Sequence, residues 1–360
     1  MHQNWQPTAS LQNIKIRARI LQAIRAFFAE RNVLEVETPV ISNAAVTDPQ
    51  IESFQIESFQ VENFQVESFS GQNHSQHHQK DYYLQTSPEF YMKRLLAAGS
   101  GDIFQLAKVF RDDENGRYHI PEFSMLEWYR VGFNHHQLMD EMQSLISGLM
   151  PEEKKHFQRI SYQQAFINEL QIDPFDADVH ALKQCAQKHN IETPQGMDDG
   201  GMDDGGMDDR GMDNDRGMDD DKDIWLDWLM VEKIAAGFAK NSFTFLYDYP
   251  ASQASLARLD KDDARKANRF ELFYGELELA NGYYELTDAN EQAQRFESDN
   301  EIRRQRQQKT MPVDYALLAA LQSGLPDCSG VALGIDRLLM LLTGVGHIKE
   351  VISFGDEFER

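Results

Sequence analysis

The 360-residue sequence predicts an α+β fold, an antiparallel sheet flanked by helices, in one large domain spanning 1–360. Three observations carry this. Apolar-rich runs of strand length return on themselves across short charged or glycine-bearing loops, as in IFQLAKVF followed by FSMLEWYR. Helix-period segments lie between such units rather than after every strand, so the alternation of a doubly wound parallel sheet is missing. Hydrophobic residues make up 41 % of the chain, enough for a globular core, yet no apolar run reaches the roughly 18 residues of a membrane span.

Taken in order, Ile16, Ile20, Ile24 and Phe27 recur at helical spacing over 10–31, with Ser10 as cap and Asn32 as stop. VLEVETPV (33–40) reads as a strand closed by Pro39, and YYLQTS as another, followed by a helix over 88–98. The strand from Ile103, a charged loop and the strand through FSMLEWYR form a hairpin. Helices are expected at 137–149, 162–170 and 179–189. Strands over 270–279 and 283–286 are separated by a turn at Gly282. Helices at 291–308 and 315–323, a glycine-rich strand at 330–333 and a helix at 335–342 complete the chain.

Two repeats interrupt this pattern. From Ile51 the chain reads IESFQ IESFQ VENFQ VESFS, a pentad whose apolar positions change parity at each copy and so sustain neither a strand face nor a helical stripe. Degenerate copies of GMDDG follow between 196 and 220, too rich in Gly and Asp to pack a core and without EF-hand spacing. Insertions over 51–80 and 195–222 are therefore expected on the surface, the second as a disordered loop. They matter for charge. Of the net −24, residues 196–223 hold −9 and residues 51–70 hold −4, leaving −11 and no Lys/Arg-rich tract. Such a balance disfavours nucleic acid as the main partner. Two cysteines far apart, Cys185 and Cys328, and a polar N-terminus point to the cytoplasm.

Three segments carry chemistry. FRDDENGRYHIPEFSMLEWYR (110–130) puts Arg111, Phe123 and Glu127 on one hairpin: a cation for a phosphate, an aromatic for a base and a carboxylate for an ammonium. A surface hairpin with charged residues at its tip would read the same. FELFYGELELANGYYEL (270–286) offers Glu271 and Glu278 to a hard divalent cation beside a triphosphate, or to solvent on an exposed face. SGVALGIDRLLML (329–341) brings a backbone approach at Gly334 and the cation Arg337 at a helix start.

In this order the three resemble motifs of class II aminoacyl-tRNA synthetases, and the helix–strand–proline unit before them resembles that family's dimer-forming first motif. YLQTSPEFYMKRLLAAG (83–99), LEWY and ELANGYYELTD are similar to the lysyl branch. PASQASLA (250–257) and LPDCSGVALG (325–334) are similar to its shortened subfamily, the elongation factor P–lysine ligases. The resemblance implies adenylate formation from ATP with Mg²⁺ and transfer of lysine or (R)-β-lysine to a lysine of elongation factor P by a homodimer. It implies catalytic roles for Arg111 and Arg337, and ATP contacts from Arg111, Asp112, Asp113, His119, Phe123, Glu278, Leu279, Gly334 and Arg337. Glu271 and Glu278 would bind Mg²⁺. The amino acid would meet Ser87, Pro88, Glu89, Glu127, Tyr129, Asn281, Glu285 and Ala332.

The sequence departs from the lysyl-tRNA synthetases in three ways. Its catalytic helix starts within about ten residues of Met1, so no N-terminal anticodon-binding domain is expected and tRNA is not the favoured acceptor. Ala332 stands where those enzymes have glycine, a reshaped pocket wall that favours a differently shaped amino acid. Asp113 replaces a glutamate and Ile120 an asparagine in the ATP loop. A minimal tRNA-charging enzyme and a non-catalytic regulatory paralogue are the alternatives. An aspartate-activating relative would need a cation where Glu127 and Glu285 stand.

Overall fold

The computed structural model describes residues 5–56, 81–112, 115–192 and 221–355. It opens with α1 (Leu11–Ala29), capped by the Ser10 side chain, which accepts from Asn13 N–H at 3.1 Å. Short strands β1 (Leu34–Glu35), β2 (Ile41–Ser42), β3 (Gln55–Ile56) and β4 (Tyr82–Leu84) lead to α2 (Glu89–Ala97). The hairpin β5 (Ile103–Phe110) and β6 (Glu122–Val131) follows, then α3 (His135–Leu149). A second group comprises β7 (Phe157–Ser161), α4 (Tyr162–Leu170), α5 (Val179–Lys188) and α6 (Lys222–Leu229). The chain closes with β8 (Phe243–Pro250), β9 (Lys266–Tyr274), β10 (Leu277–Tyr284), α7 (Ala289–Gln305), α8 (Tyr315–Gly324), β11 (Cys328–Gly334) and α9 (Ile335–Thr343).

The main sheet has eight strands in the order β1-β5-β6-β11-β10-β9-β8-β7. Its six central strands are antiparallel, as expected, but both edges pair in parallel, β1 on β5 and β7 on β8. The strand expected over 33–40 shrinks to β1, because Pro39 and the segment around it leave the sheet. β7 and β8 have no counterpart in the sequence reading.

The turn predicted at Gly282 is also corrected. Gly282 lies inside β10, where a Cβ would sit 2.4 Å from the Phe270 ring on the neighbouring strand. The turn falls instead at Gly275, whose φ of 56° supplies the left-handed conformation of a tight hairpin loop.

One face of this sheet is apolar. Leu126, Trp128, Phe270, Leu279, Val331 and Leu333 bury themselves there with residues of α1, α3 and α9. The alternation of a strand then sends the intervening residues to the other face. That face carries several of the candidate site residues, Glu127, Tyr129 and Asn281 among them. Packing of α2, α7 and α8 closes one end of it through Met92, Leu96, Phe296, Leu317 and Tyr129. Among the described residues no helix is long and apolar enough to cross a membrane.

The pentad region is described only through Ile56. Within it, β3 pairs with β4 in a three-stranded sheet with β2. Arg303 of α7, fully buried, donates to the carbonyls of Thr47, Asp48 and Ile51 at 2.7–2.9 Å and pairs with Glu52 at 2.9 Å. The rest of the pentad insertion and residues 193–220 of the Asp-rich insertion lie outside the described residues.

Candidate active site

Cross-strand register lines up the polar residues of the open face. Gln105, Glu127, Ala332, Asn281 and Glu271 occupy one row across five strands, and Ile103, Tyr129, Gly330, Tyr283 and Arg269 the next. Directly opposed residues share a face, so the two rows form a continuous floor. Gly330 is the low point of that floor. A Cβ there would lie 2.2 Å from the Tyr129 ring and 2.6 Å from Glu285 Oε1. At Gly334, by contrast, a Cβ meets nothing closer than 3.6 Å, so the protein leaves that backbone open.

At one end of the floor sit the carboxylates. Glu127 is 2 % exposed and accepts from Tyr129 Oη at 2.7 Å and from Ser87 Oγ at 2.8 Å. The Ser87 hydroxyl also accepts from Glu89 N–H at 3.0 Å, so it orients Glu127 while tying down the first turn of α2 next to Pro88. Glu285, fully buried, is held by a backbone bridge to Ala257, the last residue of the PASQASLA segment. Arg295 donates to the Ser255 and Ala257 carbonyls at 2.6 and 2.7 Å, which fixes that segment.

The sequence reading missed the next partner. Lys93 is buried between Glu89 and Glu285, with its ammonium 2.6 Å from each. Its only sequence signal was the i,i+4 spacing from Glu89, which reads equally well as a solvated helix pair. Burial pushes Glu127 up to about 8, aided by Glu89, and tyrosine and serine hydrogen bonds resist it. Burial also pushes Glu285 up to about 8, against the pull of the Lys93 ammonium. The Tyr129 hydroxyl is driven well above its usual range by burial and by Glu127.

The other end gathers the phosphate-binding candidates. Arg111 follows β5, its backbone N–H bonded to Pro121 O at 3.0 Å to close the loop, and its guanidinium lies 5.3 Å from the Phe123 ring centre. Asp112 N–H donates to Glu52 O at 3.0 Å. Asp113 lies outside the described residues. Arg337 bridges the loop and the sheet: it donates to Glu278 O at 2.8 Å and Tyr118 O at 3.2 Å, with His119 Nε2 at 2.6 Å. Leu279 turns its side chain into the core, so only its backbone faces Gly334. Ile120 is likewise buried in the core.

Glu271 does not stand alone. Arg269 pairs with it, stacks on Tyr249 at 4.5 Å and contacts Asn281 Oδ1 at 3.3 Å. Burial and the nearby Glu278 carboxylate raise Glu271, which Arg269 counters. Glu271 and Glu278 are the hard oxygen donors that could hold a divalent cation. They do not form a full protein cage. Among the described residues the one triad of metal-donor side chains is His135 and His136 at the start of α3 with Asp248 of β8.

A family profile described as tRNA synthetases class II (D, K and N) matches residues 4–357. The chain belongs to this family. It is 44 % identical over 357 residues to the elongation factor P–(R)-β-lysine ligase of Vibrio atlanticus, covering 98 % of each chain. It is also 44 % identical to the enzymes of the same name from Vibrio cholerae, over 354 residues, and Salmonella arizonae, over 350. The buried Asp336 accepts from Ser124 N–H at 2.6 Å and pairs with Arg17, tying α9, β6 and α1 together next to Arg337 in sequence.

Proposed function

We propose that this protein is an ATP-dependent ligase that activates (R)-β-lysine as an aminoacyl-adenylate and transfers it to the ε-amine of a lysine on elongation factor P. The carrying observation is the enclosed carboxylate cluster, buried Glu127 and Glu285 with partly buried Glu89, in a chain that also sets Arg111 against Phe123 and Arg337 on the Glu278 carbonyl. Carboxylates enclosed this way favour a substrate bearing ammonium groups, and the family supplies the adenylate chemistry. The relatives named above supply the acceptor and the isomer.

In the first step a carboxylate oxygen of the amino acid attacks the α-phosphorus of ATP and pyrophosphate leaves. Arg111 neutralises charge on the α-phosphate, Phe123 supports the adenine, and Arg337, fixed to His119 and Glu278 O, flanks the nucleotide. Glu271 and Glu278 would hold Mg²⁺, which screens the phosphate charge when bound. Glu127, Tyr129 and Glu285 would hold the amino-acid ammonium groups, with Ser87 orienting Glu127 and Ala332 and Asn281 beneath. In the second step the acceptor amine attacks the adenylate carbonyl, loses a proton to solvent and expels AMP. Positioning and charge neutralisation carry both steps. A homodimer working in the cytoplasm completes the reading.

The test is intact-mass measurement of elongation factor P and of lysine tRNA after separate incubation with the protein, ATP, Mg²⁺ and either α- or β-lysine. One lysyl mass on the protein acceptor, identical for the two isomers but in higher yield with β-lysine, is expected. Charged tRNA with unmodified protein would replace this reading by the tRNA-charging one.

A further inference from the structure

Lys93 is the unusual member of the amino-acid end. It is 1 % exposed, and its neighbours along α2, Met92 and Leu96, are packed among Tyr129, Phe296 and Cys328. Two carboxylates, Glu89 and Glu285, meet this ammonium at 2.6 Å, and both repel a third, Glu127, which completes the cluster. Arg258 donates to the Glu285 backbone carbonyl at 2.9 Å, its charge is paired with Asp327 at 2.6 Å, and its pull on the Glu285 carboxylate is weaker than that of Lys93. The other ionisable groups packed on the cluster are Tyr129, Tyr283 and Cys328, all held in their neutral forms by burial. With the carboxylates ionised the enclosure is short by two positive charges.

We propose that Lys93 is a specificity-determining positioning residue, a built-in counter-ion that holds Glu89 and Glu285 in place and sets the pocket's charge so that an amino acid with two ammonium groups completes it. The inference rests on the ligase reading above. A buried carboxylate left without a counter-charge takes up a proton or excludes the ligand. Lysine and β-lysine each bring two ammonium groups, matching the deficit that Lys93 leaves. Without Lys93 the deficit becomes three, and no such amino acid neutralises it. The pocket would then hold an extra proton on Glu285, which would become a poor acceptor for a substrate ammonium.

The experiment is amino-acid-dependent ATP–pyrophosphate exchange by the full chain across pH, with wild type, Lys93→Met, Glu285→Gln and the double variant. Wild-type exchange with β-lysine or lysine tests the ligase reading itself; its absence rejects that reading whatever the variants do. Given wild-type exchange, Lys93→Met should raise KM for the amino acid about tenfold or more and leave KM for ATP within about threefold. Its acid limb of kcat/KM should move to higher pH, because Glu285 without its ammonium keeps a proton longer. A loss uniform across pH, with both KM values unchanged, would overturn the proposal in favour of a purely structural lysine. If Lys93→Met does not fold, the double variant decides, since it removes the buried charges as a pair. An amino-acid KM nearer wild type in the double variant than in Glu285→Gln is expected. Indistinguishable values for those two would overturn the idea.

Discussion

At the scale of the residue, the pocket's acids make pH a direct probe. Glu127 moves from an ordinary 4.5 to about 8 on folding, chiefly through burial. Between those values the folded chain holds a proton that the unfolded chain has released. The associated stability is therefore fully present below 4.5 and is lost as pH rises through about 8. The difference in Tm between wild type and Glu127→Gln should fall as pH climbs through this window, and saturating β-lysine should flatten it by pairing the carboxylate. Thermal melts with and without ligand check this, and a flat difference in the free protein would refute the assignment. Gly330 gives a steric test. Gly330→Ala pushes a methyl into Tyr129 and Glu285, at 2.2 and 2.6 Å. Fluorescence titration should then show amino-acid affinity reduced about tenfold or more, with ATP affinity kept within about threefold.

At the scale of the element, the hairpin of β5 and β6 was legible because alternating apolar residues and a charged loop leave one reading. The same holds for α1, whose Ser10 cap and apolar period agree with its burial, and for α2 and α9, which form close to their expected bounds without a side-chain cap. What escaped the sequence has physical causes. Glycine normally marks a turn, but at Gly282 its use is to admit the Phe270 ring, a fact of the neighbouring strand. Lys93 and Arg269 look like surface cations until the fold closes over them. Arg303 belongs with them, since α7 is polar all round and nothing in its sequence singles out one arginine. That arginine tethers the segment 47–52 to α7 through backbone carbonyls and Glu52. Arg303→Ala should destabilise the protein by about 3–5 kcal/mol in urea unfolding, because Glu52 and those carbonyls lose their donor. Hydrogen exchange should speed up at residues 47–56 more than in β6. Equal change everywhere would mean the arginine is not a local tether.

At the scale of the whole molecule, the question is whether the Asp-rich repeat belongs to the catalyst. Its flanks meet on the folded body. Trp228 Nε1 donates to Glu192 O at 2.8 Å, and Asp221 caps the helix that carries Trp228. At about 1.5 Å per helical residue the start of α6 lies on the order of 10 Å from Trp228, a gap that a few extended residues span. Replacing residues 196–220 with a four-residue Gly/Ser linker should therefore preserve the fold. Because loop-closure entropy changes by about 0.6 kcal/mol per doubling of length, the shortened chain should gain only about 1–2 kcal/mol of stability. The deletion removes eight net negative charges, a large share of the protein's field. ATP–pyrophosphate exchange, on the proposed assignment of the site to Arg111, Arg337 and the buried carboxylates, should keep its rate within about twofold, since screened surface charge acts weakly there. Transfer to elongation factor P is the step that can sense the lost field. An unchanged transfer rate over a range of salt would make the repeat a passive insertion. Slower transfer with intact exchange would assign it to capture of the acceptor protein, and a collapse of exchange itself would show that the repeat helps to build the catalytic site.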